Sequence, residues 1–271
     1  NIWARKTELK EWQEIAERIK NPEVHLKIAL VGKYTEVVDS YKSIEEALVH
    51  AGIQTCASVK VEYIDAEDLV DHEKVRERLK GCLGLIIPGG FGSRGVEGKL
   101  LAIQYVRENK IPFLGICLGL QLAAIEFARN VLGLKAADSL EFKAKTSKSE
   151  LVIDLMESQR QLDHKGGTMR LGAYPCKLNE QSKARTAYGQ EVVHERHRHR
   201  YEFNNNYKDS FLKNGAVFSG LSPDGKLVEI LELADHPWFL ACQFHPELQS
   251  KPMSPHPLFL EFLKQAILSK N

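Results

Sequence analysis

Short apolar runs alternate with stretches of helical spacing through the first half of the chain, and this alternation narrows the possible folds more than any other feature. Leu26 to Gly32, Ser58 to Ile64, Leu83 to Ile87 and Pro112 to Ile116 read as strands, with helices predicted over Tyr41 to Ala51, Glu73 to Lys80, Glu97 to Asn109 and Leu118 to Asn130. Strands separated by helices pair in parallel through crossovers, so the pattern predicts an α/β fold: a mainly parallel central sheet flanked by helices on both faces. Ligands of such sheets bind beyond the carboxyl ends of the strands. From about Leu151 the runs shorten to Leu151 to Asp154, Gly172 to Leu178, Val217 to Leu221, Leu227 to Leu233 and Phe239 to Phe244, with a closing helix over Pro257 to Leu268. These predict a small antiparallel extension and a return strand. A further helix is predicted over Glu8 to Lys20, and the polar stretch Thr146 to Glu150 reads as a mobile loop.

At the end of the fourth strand stands Gly115-Ile116-Cys117-Leu118-Gly119, where an apolar run breaks and a helical pattern starts at once. Glycines on both sides of a central nucleophile are the mark of a nucleophile elbow, a strand-to-helix turn so sharp that neighbouring backbones crowd it. A packing cysteine would not require them. The run Phe239 to Phe244 leads into His245-Pro246-Glu247, a base with a carboxylate two residues on. Cys117, His245 and Glu247 together form a candidate triad. A free thiol is only a few per cent ionised near neutral pH, and an adjacent imidazolium or helix N-terminus raises that share.

Lys and Arg number 37 against 36 Asp and Glu, so no long-range field draws this chain to nucleic acid or to a membrane surface. The longest apolar stretch, Ile111 to Phe127, is broken by Pro112, Gly115, Gly119 and Gln121 and does not read as a span. No signal peptide is visible, and a cytoplasmic location is expected. The five cysteines are widely spaced and contain no Cys-x-x-Cys pair, which argues against a disulfide framework or a zinc cluster. The start at Asn1 without methionine suggests an excised or processed piece.

Gly90-Phe91-Gly92-Ser93-Arg94-Gly95 matches a dinucleotide fingerprint in letters only: it follows the third strand rather than the first, and the next strand ends in Cys117 instead of an acid. A P-loop fails too, since Gly98-Lys99 is followed by Leu100. Pro88-Gly89-Gly90 makes better sense as backbone beside the nucleophile, with the amides of Gly90 and Leu118 as two donors to an oxyanion. Arg196-His197-Arg198-His199-Arg200 can be a nucleic-acid patch, a zinc site with His194, a solvated basic edge, or a source of an arginine that clamps a substrate carboxylate. The last is preferred, because a guanidinium matches a carboxylate bidentately.

Pro88 to Gly92, Gly115 to Gly119 and His245 to Glu247 resemble the three motifs of class I (triad) glutamine amidotransferases, a flavodoxin-like fold. More narrowly, Gly32-Lys33-Tyr34-Thr35, Phe91 to Gly95, Gly166 to Gly172 and Glu195 to Arg200 resemble the glutaminase domains of CTP synthases, over nearly the whole chain. The resemblance implies Cys117 as nucleophile, His245 as base and Glu247 as its orienting carboxylate. It implies a glutamine site built from Gly90, Phe91, Leu118, Gly119, Leu120, Gln121, Glu141 and Arg200, with Phe91 on the substrate side chain, Gln121 and Glu141 at its amino-acid end, and Arg200 on its α-carboxylate. No metal and no cofactor are expected in this part. ATP and Mg²⁺ would serve an N-terminal synthetase domain that aminates UTP, GTP would activate allosterically, and the whole enzyme would be a homo-oligomer, a tetramer. Residues 1–25 would then be a linker helix from that absent domain, and 26–271 the amidotransferase domain. Leu120, Leu140 and Leu248 depart from the family's commonest residues, which touches packing rather than chemistry. Two other readings stay open: a γ-glutamyl hydrolase or glutaminase of another pathway, and a largely regulatory or assembly module.

Overall fold

In the computed structural model, residues 9–33, 37–142, 150–155 and 169–270 are described. The predicted loop Thr146 to Glu150 lies outside them except for Glu150, as do Tyr34, Thr35 and Gly166 to Thr168 of the motifs above. Helix α1 (Lys10–Lys20) precedes β1 (Val24–Gly32), followed by α2 (Lys42–Thr55), β2 (Ala57–Asp65), α3 (His72–Arg78), β3 (Gly84–Ile87), α4 (Val96–Glu108), β4 (Phe113–Ile116) and α5 (Leu118–Asn130). The second half contains β5 (Asp138–Ser139), β6 (Leu151–Leu155), β7 (Arg170–Leu178), α6 (Lys183–Tyr188), β8 (Val192–His199), β9 (Tyr201–Phe203) and α7 (Lys208–Lys213). It closes with β10 (Ala216–Leu221), β11 (Val228–Leu233), β12 (Phe239–Cys242) and α8 (Pro257–Leu268).

Nine strands form one sheet in the order β2-β1-β3-β4-β12-β11-β10-β7-β8. The run from β2 to β12 is parallel, and from β12 onward every pairing is antiparallel. The α/β class predicted from the alternation is therefore present. Its antiparallel part is not a separate layer, however: it continues the same sheet, because β12 pairs on one edge with β4 and on the other with β11. Among the described residues, β5, β6 and β9 form a second, three-stranded sheet.

The inner parallel strands β1, β3, β4 and β12 are largely buried on both faces, as crossover helices require, while the edge strand β2 is only partly covered. Leu26, Ile28 and Leu30 pack with Ile86, Leu114 and Leu240 under α2 and α8, while Ala29, Val31, Leu85, Ile87 and Phe113 face α3, α4 and α5. Helix α8 starts cleanly because Pro257 occupies its first turn and the His256 side chain accepts from the Leu258 N–H. Helix α1 stands apart: none of its residues is buried, and Trp12 and Ile19 are exposed. No helix among the described residues is long and apolar enough to cross a membrane.

Candidate active site

Strand β4 ends at Ile116 and α5 begins at Leu118, leaving Cys117 alone to make the turn at φ 52° and ψ −97°. That conformation costs a non-glycine residue roughly 1–3 kcal/mol and persists only where the surroundings dictate it. Here they do. The Cys117 N–H is held by the Cys242 carbonyl of β12 at 2.7 Å. The flanking glycines meet close backbone: a Cβ on Gly119 would lie 2.5 Å from the Ile87 carbonyl oxygen, and one on Gly115 would lie 2.8 Å from the Gly119 carbonyl carbon. The predicted elbow is present in its geometry.

Parallel pairing places Cys242 beside Ile116, so the chain leaving β12 passes the elbow and delivers His245 next to it. The His245 N–H donates to the Arg196 carbonyl at 2.8 Å, and its Nδ1 faces Glu247 Oε1 at 2.7 Å. A carboxylate can only accept here, so Nδ1 carries the proton and Nε2 is the ring atom available to the thiol. Burial alone lowers the His245 pKa, but hydrogen bonding to Cys117 and Glu247 outweighs it and raises the value to about 10. The imidazolium is thus favoured across neutral pH, beside a sulfur that would itself carry negative charge when activated.

Cys117, 3% exposed, lies at the floor of a cleft of about 200 Å³ whose walls include Pro88 to Phe91, Arg198, His245, Glu247 and Tyr41. Its Sγ is 3.9 Å from the Arg198 carbonyl and 3.6 Å from Gln243 Nε2. Leu118 is the first residue of α5, so its N–H has no acceptor within the helix. Gly90 faces it across the cleft, close enough that a Cβ there would touch Leu118 Cδ2 at 3.4 Å. Gly89 is packed harder, since its Cβ would stand 2.8 Å from His245 Cε1.

The glycine-rich loop is held by three side chains. Lys33 donates to the Phe91 carbonyl, Glu141 Oε1 accepts from the Gly92 N–H at 2.7 Å, and Arg94 donates to the Lys33 carbonyl at 2.9 Å. Burial raises the Glu141 pKa, against the Gly92 bond and the charges of Lys33 and Arg200. Burial and Arg94 lower that of Lys33.

Cys117, His245 and Glu247 are thus brought together, with Gly90, Phe91 and Leu118 around them. Glu141 and Arg200 are close enough to each other to interact, one loop away. Gln121 is 3% exposed, and its Nε2 donates to the Tyr201 carbonyl at 3.2 Å and to Gln243 Oε1 at 3.3 Å. Leu120 does not contribute its side chain to the cleft: it is fully buried in the apolar core. Gly119 serves the close approach to β3 described above.

The run Arg196 to Arg200 proves to be mostly strand, β8, with alternate residues turned inward. His197 and His199 are buried, while His194, Arg196 and Arg198 point outward, so His194 does not share a face with the other two. His197 Nδ1 and His199 Nε2 are 2.9 Å apart, and Arg170 bonds Glu229 at 2.6 Å behind them. Burial, reinforced by the Arg170 charge, lowers His197 to about 2 and His199 to about 3. Both are neutral, and the solvated basic edge is confined to the arginines. Among the described residues no group of His, Cys, Asp and Glu is arranged to hold a metal. Sequence reasoning missed Gln243 and Lys33; the first could have been noticed from its place two residues before His245 at the mouth of a buried strand.

The family model for class-I glutamine amidotransferases matches residues 36–265. This chain belongs to the class I glutamine amidotransferase family and, within it, groups with the glutaminase domains of CTP synthases. The CTP synthase of Caldanaerobacter subterraneus is 56% identical over 264 residues, 97% of this chain and 49% of that protein. That of Carboxydothermus hydrogenoformans is 56% identical over 256 residues, 94% of this chain and 47% of that protein. The chain therefore spans about half the length of the curated relatives it matches. Among solved structures, the glutaminase domain of the Trypanosoma brucei enzyme with bound acivicin superposes with a TM-score of 0.83 at 38% identity, covering 90% of this chain and 94% of that one.

Proposed function

We propose that this chain hydrolyses L-glutamine to glutamate and ammonia through Cys117, His245 and Glu247. The observation that carries the reading is the strained elbow at Cys117 beside a His245–Glu247 pair at 2.7 Å, at the floor of one cleft. The Cys117 thiolate adds to the side-chain amide carbon, and the oxyanion is received by the amides of Gly90 and Leu118. The His245 imidazolium then protonates the departing ammonia. Water, deprotonated by the same imidazole, hydrolyses the γ-glutamyl thioester and frees the thiol. Phe91 flanks the substrate side chain, Gln121 and Glu141 hold its amino-acid end, and Arg200 takes its α-carboxylate.

In this reading the ammonia goes to a synthetase domain, the half of the relatives' length that this chain does not span, where ATP and Mg²⁺ support amination of UTP to CTP and GTP activates. Residues 1–25, with the exposed α1, would connect the two. Coupling is physically sensible because ammonia released without an acceptor is lost. The decisive assay measures glutamate and ammonia release from glutamine by the wild-type chain and by Cys117→Ala, together with mass-spectrometric mapping of acivicin labelling. Stoichiometric labelling at Cys117 and loss of turnover in the variant are expected; residual turnover above a few per cent in the folded variant overturns the assignment. Rates that are equal and GTP-independent with and without the synthetase half would favour a free-standing glutaminase.

A further inference from the structure

Gln243 is fully buried one step beyond the end of β12, between Cys242 and the segment that carries the base. Its backbone is fixed, since its N–H donates to the Glu229 carbonyl at 2.9 Å. Its side-chain orientation is also determined. The Tyr201 carbonyl can only accept a hydrogen bond, so the group that Gln121 presents to it at 3.2 Å is its NH₂. The same Nε2 reaches Gln243 at 3.3 Å, which requires Gln243 to show its carbonyl oxygen there. The other end of the Gln243 carboxamide, its NH₂, then faces Cys117 Sγ, 3.6 Å away.

We propose that Gln243 is a positioning residue for the nucleophile, donating an amide hydrogen bond that favours the ionised sulfur and fixes where it sits. The proposal rests on the reading of Cys117 as the nucleophile. The sulfur has two polar backbone or amide neighbours, and they act in opposite senses. The Arg198 carbonyl, at 3.9 Å, can accept only from a protonated thiol. The Gln243 amide gains strength as negative charge develops on sulfur. The titratable or charged groups near Cys117 are His245 and Glu247 beyond β12, Cys242 on β12, Arg198 on β8, and Tyr41 before α2 across the cleft. His245 supplies the charge, but its ring must also rotate or shift to follow a proton through two chemical steps. A donor locked by Gln121 and Tyr201 keeps the sulfur in place while the base moves.

The test is the pH dependence of Cys117 alkylation by iodoacetamide, read by mass spectrometry of the Cys117 peptide so that the other four cysteines do not contribute. Gln243→Met keeps the length and removes the donor; its alkylation at pH 7 should fall about tenfold, with the midpoint of the profile moved upward. Gln243→Glu places an acceptor against the sulfur and should fall further. Glutamine turnover should drop in kcat, and any change in KM would report on Gln121, which Gln243 also holds. A folded Gln243→Met protein whose profile superposes on wild type overturns the proposal. Should that variant not fold, Gln121→Met, which leaves Gln243 in place but frees its carboxamide to turn, must shift the profile the same way, and no shift there overturns it equally. A wild-type chain that alkylates with this Gln243-dependent profile yet hydrolyses no glutamine would sink the proposed reaction and leave the positioning role standing.

Discussion

Gly89→Ala isolates one steric contact on which the site depends. Its backbone is not in the left-handed region, so alanine can adopt it without strain, and the consequence of the change lies entirely in what the new methyl meets. That methyl would stand 2.8 Å from His245 Cε1, about 0.6 Å inside ordinary contact at 3.4 Å. His245 cannot simply retreat: its main-chain N–H is held by Arg196 at 2.8 Å and its Nδ1 by Glu247 at 2.7 Å. Either the ring swings off the Glu247–Cys117 line or the loop that carries Gly90 lifts away from Leu118. Misplacements of about 1 Å in a catalytic constellation cost about 100-fold in rate, so kcat for glutamine hydrolysis should fall roughly 10- to 100-fold. Stability should barely change, because Gly89 borders the cleft and the loss of unfolded-chain freedom offsets part of the clash by about 0.4–1 kcal/mol. Steady-state glutaminase kinetics beside thermal denaturation separate the two effects. A folded Gly89→Ala chain with kcat within about twofold of wild type would refute the claim that this contact sets the position of the base.

Arg200→Ala should raise KM for glutamine by about one to three orders of magnitude, the loss expected for a charge-assisted pair, and iodoacetamide labelling of Cys117 should hardly change; an unaltered KM returns Arg200 to a structural role. Hydrogen bonding of His245 to Cys117 and, next, to Glu247 adds stability that is fully present below the ordinary pKa of 6.5 and disappears as pH rises through about 10. Denaturant titrations between pH 6 and 10 should show that slope in the wild type and a flatter one in Glu247→Gln. In the buried pair Arg170–Glu229, with side chains 8% and 0% exposed, burial holds the Glu229 pKa up at about 7 even beside Arg170. Arg170→Met should therefore cost most, about 3–5 kcal/mol, well above pH 7 where the carboxylate is stranded, and much of that should return at lower pH or in the double variant Arg170→Met/Glu229→Gln. Equal losses in the single and double variants would show that the stranded charge is not the cause.

The parallel half of the fold was legible because its inner strands are buried on both faces. Such strands must be continuously apolar, and Leu26 to Gly32 or Leu83 to Ile87 cannot be mistaken for anything solvated. The elbow was legible for a related reason: crowding that only glycine tolerates leaves a mark at Gly115 and Gly119 whatever the rest of the chain does. Strand β8 was not legible. Its inward residues include Glu195, His197 and His199, so the usual alternation of apolar and polar letters is absent, and burial is achieved by pairing Glu195 with Tyr188 and His256, and by setting His197 against His199 and Glu229.

The sequence by itself determined which residues could carry the chemistry, since a nucleophile between glycines and a base two residues before a carboxylate are local patterns written in consecutive letters. Their meeting was a matter for the tertiary structure. Nothing local relates Cys117 to His245, 128 positions apart; the parallel pairing of β4 with β12, with Cys242 opposite Ile116, is what sets one beside the other. The same holds for the single antiparallel continuation of the sheet and for the chain from Tyr201 through Gln121 and Gln243 to the sulfur, whose members come from three separate segments. Hydrophobic pattern selects the elements and their buried faces, whereas the contacts between polar side chains depend on register and strand order, and these are settled only when the whole sheet assembles.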